Sequence, residues 1–316
     1  MNLLVTGGCG FIGSNFINYI EPKLINRLIN IDAMYYCANL DNIRPEIRKD
    51  CRYYFIKGNL CSSDLVAYIL EEHCITHIIH FAAQSHVQNS FDDSMQYTQD
   101  NIVGTHTLLE CCRKYQLKCG RLHKIIHVST DEVYGESLNG RLDELSILTP
   151  TNPYAATKAA AEMIATSYIK SYNLPIVITR GNNVYGPNQY PEKLIPKFIQ
   201  QLQNNQQVTI QGDGSAKRSF LHVLDTCSAF EIILSKGIVG EIYNIGADDN
   251  AEFTVMEIAK LLVKLIKRTD AFQSYVKFIS DRPFNDSRYF ISNEKLKQLG
   301  WEIKKPFFEG INELII

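Results

Sequence analysis

Three glycines set three apart, Gly7, Gly10 and Gly13, constrain this chain more than any other feature. They follow a short apolar run, Asn2 to Val5, and open an apolar helical pattern from Phe11 to Ile20. In a strand–loop–helix setting such glycines permit a tight turn. They also let the backbone approach a pyrophosphate at the helix N-terminus. A second apolar run, Leu28 to Ile31, ends at Asp32, 19 residues past Gly13. A carboxylate there accepts hydrogen bonds from a ribose diol and repels a 2′-phosphate, which points to NAD rather than NADP. Further strands are predicted at Tyr53–Ile56, His77–Phe81, Ile125–Val128 and Ile176–Thr179, with helices at Asn101–Tyr115 and Pro153–Tyr172 between them. Alternation of this kind implies an α/β fold with a Rossmann-type, doubly wound parallel sheet and right-handed crossovers. Ala82 and Ala83, after the fourth strand, are small enough for close approach to a cofactor.

The texture changes after Arg180. Gly181 to Pro191 is rich in Asn, Gly and Pro, and Gly212-Asp213-Gly214 reads as a turn. Helices are expected at Ile195–Gln203 and at Glu257–Lys267, the latter with an apolar stripe at Ile258, Leu261, Leu262 and Leu265. The predicted division is a dinucleotide-binding domain over 1–180, with a returning segment near 220–245. Residues 181–316 form a smaller, discontinuous substrate domain. Lys193, Arg218, Arg282 and Arg288 supply cations to that half, and an arginine fork suits phosphate oxygens.

Composition excludes several classes. A net charge of −2 over 316 residues gives no support to a nucleic-acid partner. The nine cysteines show no paired metal-ligand spacing, so no metal is expected. No apolar run approaches the ~20 residues that span a bilayer. Met1 leads directly into the first strand, so a cytoplasmic protein with reduced thiols is expected.

The chemistry concentrates between Ser129 and Lys158, where STDEVYG is followed, after a polar loop, by TNPYAATK. Thr130, Asp131 and Glu132 emerge at the C-terminal end of a predicted parallel strand, the edge where open α/β sheets bind ligands. Thr151-Asn152-Pro153 reads as a helix start. Tyr154 and Lys158, four apart, share a face of that helix. A lysine beside the phenol is expected to lower its pKa and make Tyr154 a base. The alanines at 155, 156, 159, 160 and 161 permit close helix packing, whether internal or across a dimer.

These stretches resemble the extended short-chain dehydrogenase/reductase family, and within it the nucleotide-sugar 4,6-dehydratases. The resemblance runs through TGGCGFIGS, FAAQSHV, STDEVYGE, PTNPYAATKAAAE, RGNNVYGPNQYPEKLIPKFI, GDGSAKRSFLHV, EIYNIG and RPFNDSRY. It implies that Tyr154 takes the C4 hydroxyl proton of the sugar, supported by Lys158 and Thr130. Glu132 would remove the C5 proton and Asp131 protonate the leaving C6 hydroxyl. NAD would be reduced and reoxidised within one turnover. The same resemblance places Gly7, Gly10, Phe11, Ile12, Gly13, Asp32, Asn59, Leu60, Ala82, Ala83, Tyr154 and Lys158 at the cofactor. It places Ser85, Asn183, Lys193, Leu194, Arg218 and Arg282 at the substrate.

Three departures stand out. The family's usual Asp-Ile pair near the adenine is Asn59-Leu60, whose amide carbonyl remains an acceptor for the adenine amine. Arg218-Ser219-Phe220-Leu221 replaces the RDWL common in bacterial dTDP-glucose enzymes, and Arg282-Pro283-Phe284-Asn285 replaces RPGH. The last two resemble the dehydratase domain of plant-type UDP-rhamnose synthases, so UDP-glucose is the expected substrate and dTDP-glucose the alternative. The family also implies a homodimer. No reductase domain is expected after Ile316, so a separate epimerase/reductase would complete the deoxysugar. A nucleotide-sugar 4-epimerase or a UDP-sugar-acid decarboxylase would share the fold but not need the Asp131-Glu132 pair. A non-catalytic NAD-binding regulator would not need Thr130, Tyr154 and Lys158.

Overall fold

The computed structural model describes residues 1–137, 140–281 and 284–315. Twelve strands are assigned among them. The first six are β1 (Asn2–Thr6), β2 (Arg27–Asp32), β3 (Tyr53–Lys57), β4 (His77–His80), β5 (Lys124–Thr130) and β6 (Ile176–Gly181). The others are β7 (Asn183–Tyr185), β8 (Val208–Gln211), β9 (Lys217–His222), β10 (Ile242–Ile245), β11 (Glu252–Thr254) and β12 (Val276–Ile279). Seven form one parallel sheet in the order β10-β6-β5-β4-β1-β2-β3. This is a Rossmann-type α/β fold. The order reverses between β1 and β4, and a crevice opens at their C-terminal ends.

Strands of this sheet are buried on both faces, which is why they read as apolar runs rather than alternating ones. Within them the period of two still sorts side chains. Leu4, Ile78, Ile125 and Ile176 join a core under the helices Ser63–Glu72 and Gly104–Cys119. Leu3, Val5, Ile79, Ile126 and Val177 join the opposite core. That second core runs on without a break into the C-terminal half through Phe198, Val208, Leu221 and Leu262. The chain returns to the large sheet through the helix Val223–Lys236, whose Phe230 packs edge-on against Phe81 at 4.9 Å, and then through β10 beside β6. The remaining strands make two small sheets, β11-β9-β7 and β12-β8.

Local chemistry sets the helix that carries Tyr154. Asn152 caps it by accepting the Ala155 N–H at 2.9 Å, Pro153 occupies the first turn, and Asn173 ends it in the left-handed region at φ 54°. Its bounds, Pro153–Tyr172, are those read from the sequence. Ala155, Ala159, Ala161 and Ala165 are buried within the chain, so that part of the small-residue face serves internal packing. The expected helix Asn101–Tyr115 differs. A π-helical turn, Thr98–Val103, precedes a regular helix that runs to Cys119 and stops at Gly120, φ 64°. The wide turn lets Asn101 bond both backbone groups of Gln84 and the Thr157 hydroxyl, tying the loop after β4 to the Tyr154 helix.

A buried ion pair joins that helix to the sheet. Arg180 of β6 meets Glu162 at 2.8 Å, with side chains only 4% and 3% exposed. The same guanidinium donates to the Tyr134 hydroxyl at 2.7 Å and lies over its ring, while Tyr134 donates to Asn244 of β10 at 2.9 Å. Removing one partner of such a pair leaves a charge buried and uncompensated. Arg180→Met is therefore expected to lower unfolding stability by about 3–5 kcal/mol, and adding Glu162→Met to recover most of it. Urea unfolding of the three proteins measures this. A loss below about 1 kcal/mol for Arg180→Met would remove the pair from the stabilising framework.

Candidate active site

The glycine loop comes close enough to β4 to exclude any side chain. A Cβ on Gly7, whose φ is +71°, would lie 2.7 Å from the Ala82 backbone, and one on Gly13 would lie 2.4 Å from the Gly7 carbonyl. Gly10 caps the helix Phe11–Tyr19 without any side-chain acceptor, so the first N–H groups of that helix point at the crevice unclaimed by a cap. The crevice is a cavity of about 250 Å³. Gly7, Gly10, Phe11, Ile12 and Gly13 form one wall, and Asp32, Asn59 and Leu60 close one end. Ala82, Ala83 and Ser85, then Tyr154 and Lys158, lie toward the other. Asp32 is fixed by the N–H groups of Cys9 at 2.9 Å and Met34 at 2.8 Å, and burial pushes its carboxyl up.

At the far end the Asn59 amide has one orientation. Its Oδ1 accepts the Cys61 N–H at 2.8 Å, and its Nδ2 faces the Tyr35 hydroxyl at 3.0 Å and the Asp100 carboxylate at 3.5 Å. A flip would set N–H against N–H and oxygen against carboxylate. The carbonyl expected to serve an adenine amine is thus already engaged by backbone, and Asp100 adds a carboxylate to the same wall.

A second cavity of about 260 Å³ adjoins the first, sharing Glu192 and Lys193. Asn183, Lys193, Leu194, Arg218 and Glu132 line it. Ser85, expected at the substrate, lines the first cavity instead, and its carbonyl accepts the Lys193 ammonium at 2.7 Å. Arg282 lies outside the described residues. Among the described residues no cluster of His, Cys, Asp and Glu is arranged to hold a metal ion.

The titratable groups converge where the cavities meet. β5 ends at Thr130, and Asp131–Tyr134 form a single 3₁₀ turn that presents Asp131 and Glu132 in succession. Asp131 is buried behind the cavity walls. Burial and then the Glu132 charge push its carboxyl up to about 7, against the opposing hydrogen bonds from Asn182 (2.6 Å) and Thr130 (3.2 Å). Glu132 faces the second cavity. Burial raises its pKa too, opposed by the Asn152 amide at 3.1 Å and by Arg218 and Lys193.

Tyr154 departs from expectation. Burial and the Glu132 charge push its phenol up, while a hydrogen bond with Thr130 acts the other way. The Lys158 ammonium donates to the Val128 carbonyl at 2.6 Å, and the net push on the phenol is upward. Burial brings Lys158 down to about 8, partly offset by Glu162 one turn along the helix.

Four residues at the site went unassigned in the sequence. Asn152 doubles as helix cap and Glu132 donor, and Asn182 holds Asp131. Tyr289 sits under the Arg218 guanidinium at 4.7 Å with its hydroxyl 3.4 Å from Glu132, and Asp286 accepts from Tyr289. The last two belong to RPFNDSRY, where the sequence directed attention to the arginine alone.

The family model described as GDP-mannose 4,6 dehydratase matches residues 4–314. A trifunctional UDP-glucose 4,6-dehydratase/UDP-4-keto-6-deoxy-D-glucose 3,5-epimerase/UDP-4-keto-L-rhamnose-reductase of Arabidopsis thaliana is 46% identical, covering 99% of this chain and 46% of its own length. The chain thus spans just under half the length of the plant relatives it matches. The dTDP-D-glucose 4,6-dehydratase of Mus musculus is also 46% identical, over 99% of this chain and 87% of that one. The crystal structure of DesIV, a dTDP-glucose 4,6-dehydratase from Streptomyces venezuelae with NAD and TYD bound, superposes with a TM-score of 0.92 at 35% identity, covering 100% of this chain and 96% of that chain. From the strand before the glycine loop to the last helix, this chain belongs to the GDP-mannose 4,6-dehydratase family.

Proposed function

We propose that this chain is an NAD-dependent nucleotide-sugar 4,6-dehydratase that converts UDP-glucose to UDP-4-keto-6-deoxy-glucose. The observation that carries the reading is the adjacent pair Asp131-Glu132, one carboxyl sealed in the protein and the other facing a cavity, beside Tyr154. An epimerization at C4 needs only Thr130, Tyr154 and Lys158 and leaves that pair without a task.

The first cavity fits NAD: a side-chain-free loop, an uncapped helix N-terminus for the pyrophosphate and Asp32 for a ribose diol. Bound there, NAD⁺ would supply the hydride acceptor for sugar C4 and the hydride donor for C6. Tyr154 accepts the C4 hydroxyl proton, and Thr130 holds that hydroxyl in place. The buried phenol gives up its proton only when a cation is near, so Lys158, carrying its charge at neutral pH, supports that step. A ketone at C4 acidifies the C5 hydrogen. Glu132, made more basic by burial, removes it. Asp131, with a pKa of about 7, holds a proton up to near-neutral pH for the departing C6 hydroxyl.

The preference for UDP rests on two departures that touch each other. Arg218, of Arg218-Ser219-Phe220-Leu221, donates to the side-chain oxygen of Asn285 at 3.2 Å. The product keeps a ketone beside acidic C–H bonds, which suits an epimerase or a reductase as the consuming enzyme.

Glu132→Gln is expected to keep C4 oxidation while losing exchange of the C5 hydrogen with solvent, and to lower dehydration by ~10²–10⁴-fold, the usual contribution of a general base. NMR of the substrate in D₂O reads the exchange, and undiminished exchange would remove Glu132 from that step. For the nucleotide, kcat/KM is expected to favour UDP-glucose over dTDP-glucose by the ~1–3 kcal/mol that one methyl in an apolar pocket decides. Equal values would overturn the UDP assignment and leave the dehydratase reading standing.

A further inference from the structure

The C5 proton taken by Glu132 needs a destination, and three side chains lie in a row that leads away from Glu132. Tyr289, 4% exposed, has its hydroxyl 3.4 Å from Glu132 Oε2 and hydrogen-bonded to Asp286 Oδ2. Asp286, 3% exposed, also accepts the Thr151 hydroxyl, at 2.7 Å to Oδ1 and 2.8 Å to Oδ2. Thr151 is at the surface, on the residue before the Asn152 helix cap. Glu132, Asp286 and Tyr289 line the second cavity together.

The proton count in this row is telling. A phenol has one hydrogen to donate and stands between two carboxylates that only accept. With both ionised, Tyr289 serves one of them and confronts the other oxygen to oxygen. One more proton on Glu132 completes the row: Glu132 donates to the phenol oxygen and the phenol donates to Asp286. Burial, Glu132 and Asp286 together push the Tyr289 phenol up, so it stays neutral and passes protons on rather than holding a charge.

We propose that Tyr289, Asp286 and Thr151 form a relay that carries the C5 proton from Glu132 to solvent. The inference rests on the dehydratase reading above. The Glu132 O–H bond breaks as its proton bonds to the Tyr289 oxygen, and the phenol's own proton moves to Asp286 Oδ2. Tyr289 ends as the neutral phenol it began as. Asp286 then protonates the Thr151 hydroxyl oxygen as the Thr151 proton leaves to water. Both carboxylates are restored, and the net change is one proton moved to solvent. The 3.4 Å contact is long for O–H···O, as contacts of this kind are before substrate closes the site. Run in reverse, the relay brings a solvent proton from water through Thr151, Asp286 and Tyr289 back to Glu132, which delivers it to C5, so the hydrogen found at C5 of the product is a solvent hydrogen. Without the relay the proton stays on Glu132 and returns to the carbon it left.

The test is turnover of UDP-glucose in D₂O, stopped early, with NMR of C5 in the 4-keto-6-deoxy product. The native enzyme is expected to give product carrying deuterium at C5. Tyr289→Phe keeps the ring beneath Arg218 and removes only the hydroxyl. It is expected to cut deuterium per water lost at least several-fold, with the original hydrogen retained. Thr151→Val, an exposed change that carries the test if Tyr289→Phe does not fold or turn over, is expected to shift the isotope ratio the same way. Full deuterium at C5 in either variant overturns the relay, as does a native product that retains its original hydrogen. Absence of water loss in the native enzyme overturns the dehydratase reading and the relay with it. Water loss with unchanged C5 labelling overturns the relay alone.

Discussion

The site depends on the buried charge contact between Arg180 and Glu162. Glu162 lies one turn beyond Lys158 on the helix that also carries Tyr154, and Arg180 pairs in register with Ser129, next to Thr130. The guanidinium reaches on to Tyr134, the last residue of the turn that begins with Asp131 and Glu132. One cation thus ties the helix that carries Tyr154 and Lys158 to the strand end that carries Asp131 and Glu132. Glu162 has a second effect: its charge partly offsets the cost of burying the Lys158 ammonium. The framework and the electrostatics of the site are in this respect one interaction.

Adjacency alone does not make an acid and a base of two carboxyls. Both Asp131 and Glu132 are raised by burial, and the difference lies in what surrounds them. Asp131 is sealed under the Glu132 charge. Glu132 looks onto a cavity with Arg218 and Lys193 and takes a hydrogen bond from Asn152. The sequence shows the pair, and only the packing shows which member keeps its proton. Under the proposed mechanism, Asp131 loses its acid proton as pH rises through about 7, and the acid step weakens on the alkaline side.

Elements with their own punctuation were legible from sequence. The Tyr154 helix was read to its ends because Asn152-Pro153 and Asn173 mark them, and the glycine loop because the close approach of Gly7 to Ala82 admits no other residue type. The cofactor residues gathered at one crevice because parallel strands all end there. Contacts between distant segments were not legible. The spacing puts Lys158 on the Tyr154 face but does not show that its ammonium donates to the Val128 carbonyl of β5. The Asn59 carbonyl accepts from Cys61 in a local turn, and its NH₂ faces Tyr35 and Asp100. Tyr289 lies 157 positions from Glu132 in sequence and meets it with its ring beneath Arg218. The π-helical turn at Thr98–Val103 carries no sequence mark that separates it from an ordinary helix.

Under the proposed function, Asp131 and Glu132 together eliminate water from the sugar. Mass spectrometry of UDP-glucose incubated with the purified protein and NAD tests it directly. The expected product is a nucleotide sugar lighter by one water, with the loss abolished in Asp131→Asn. A product of unchanged mass, inverted at C4, would contradict it.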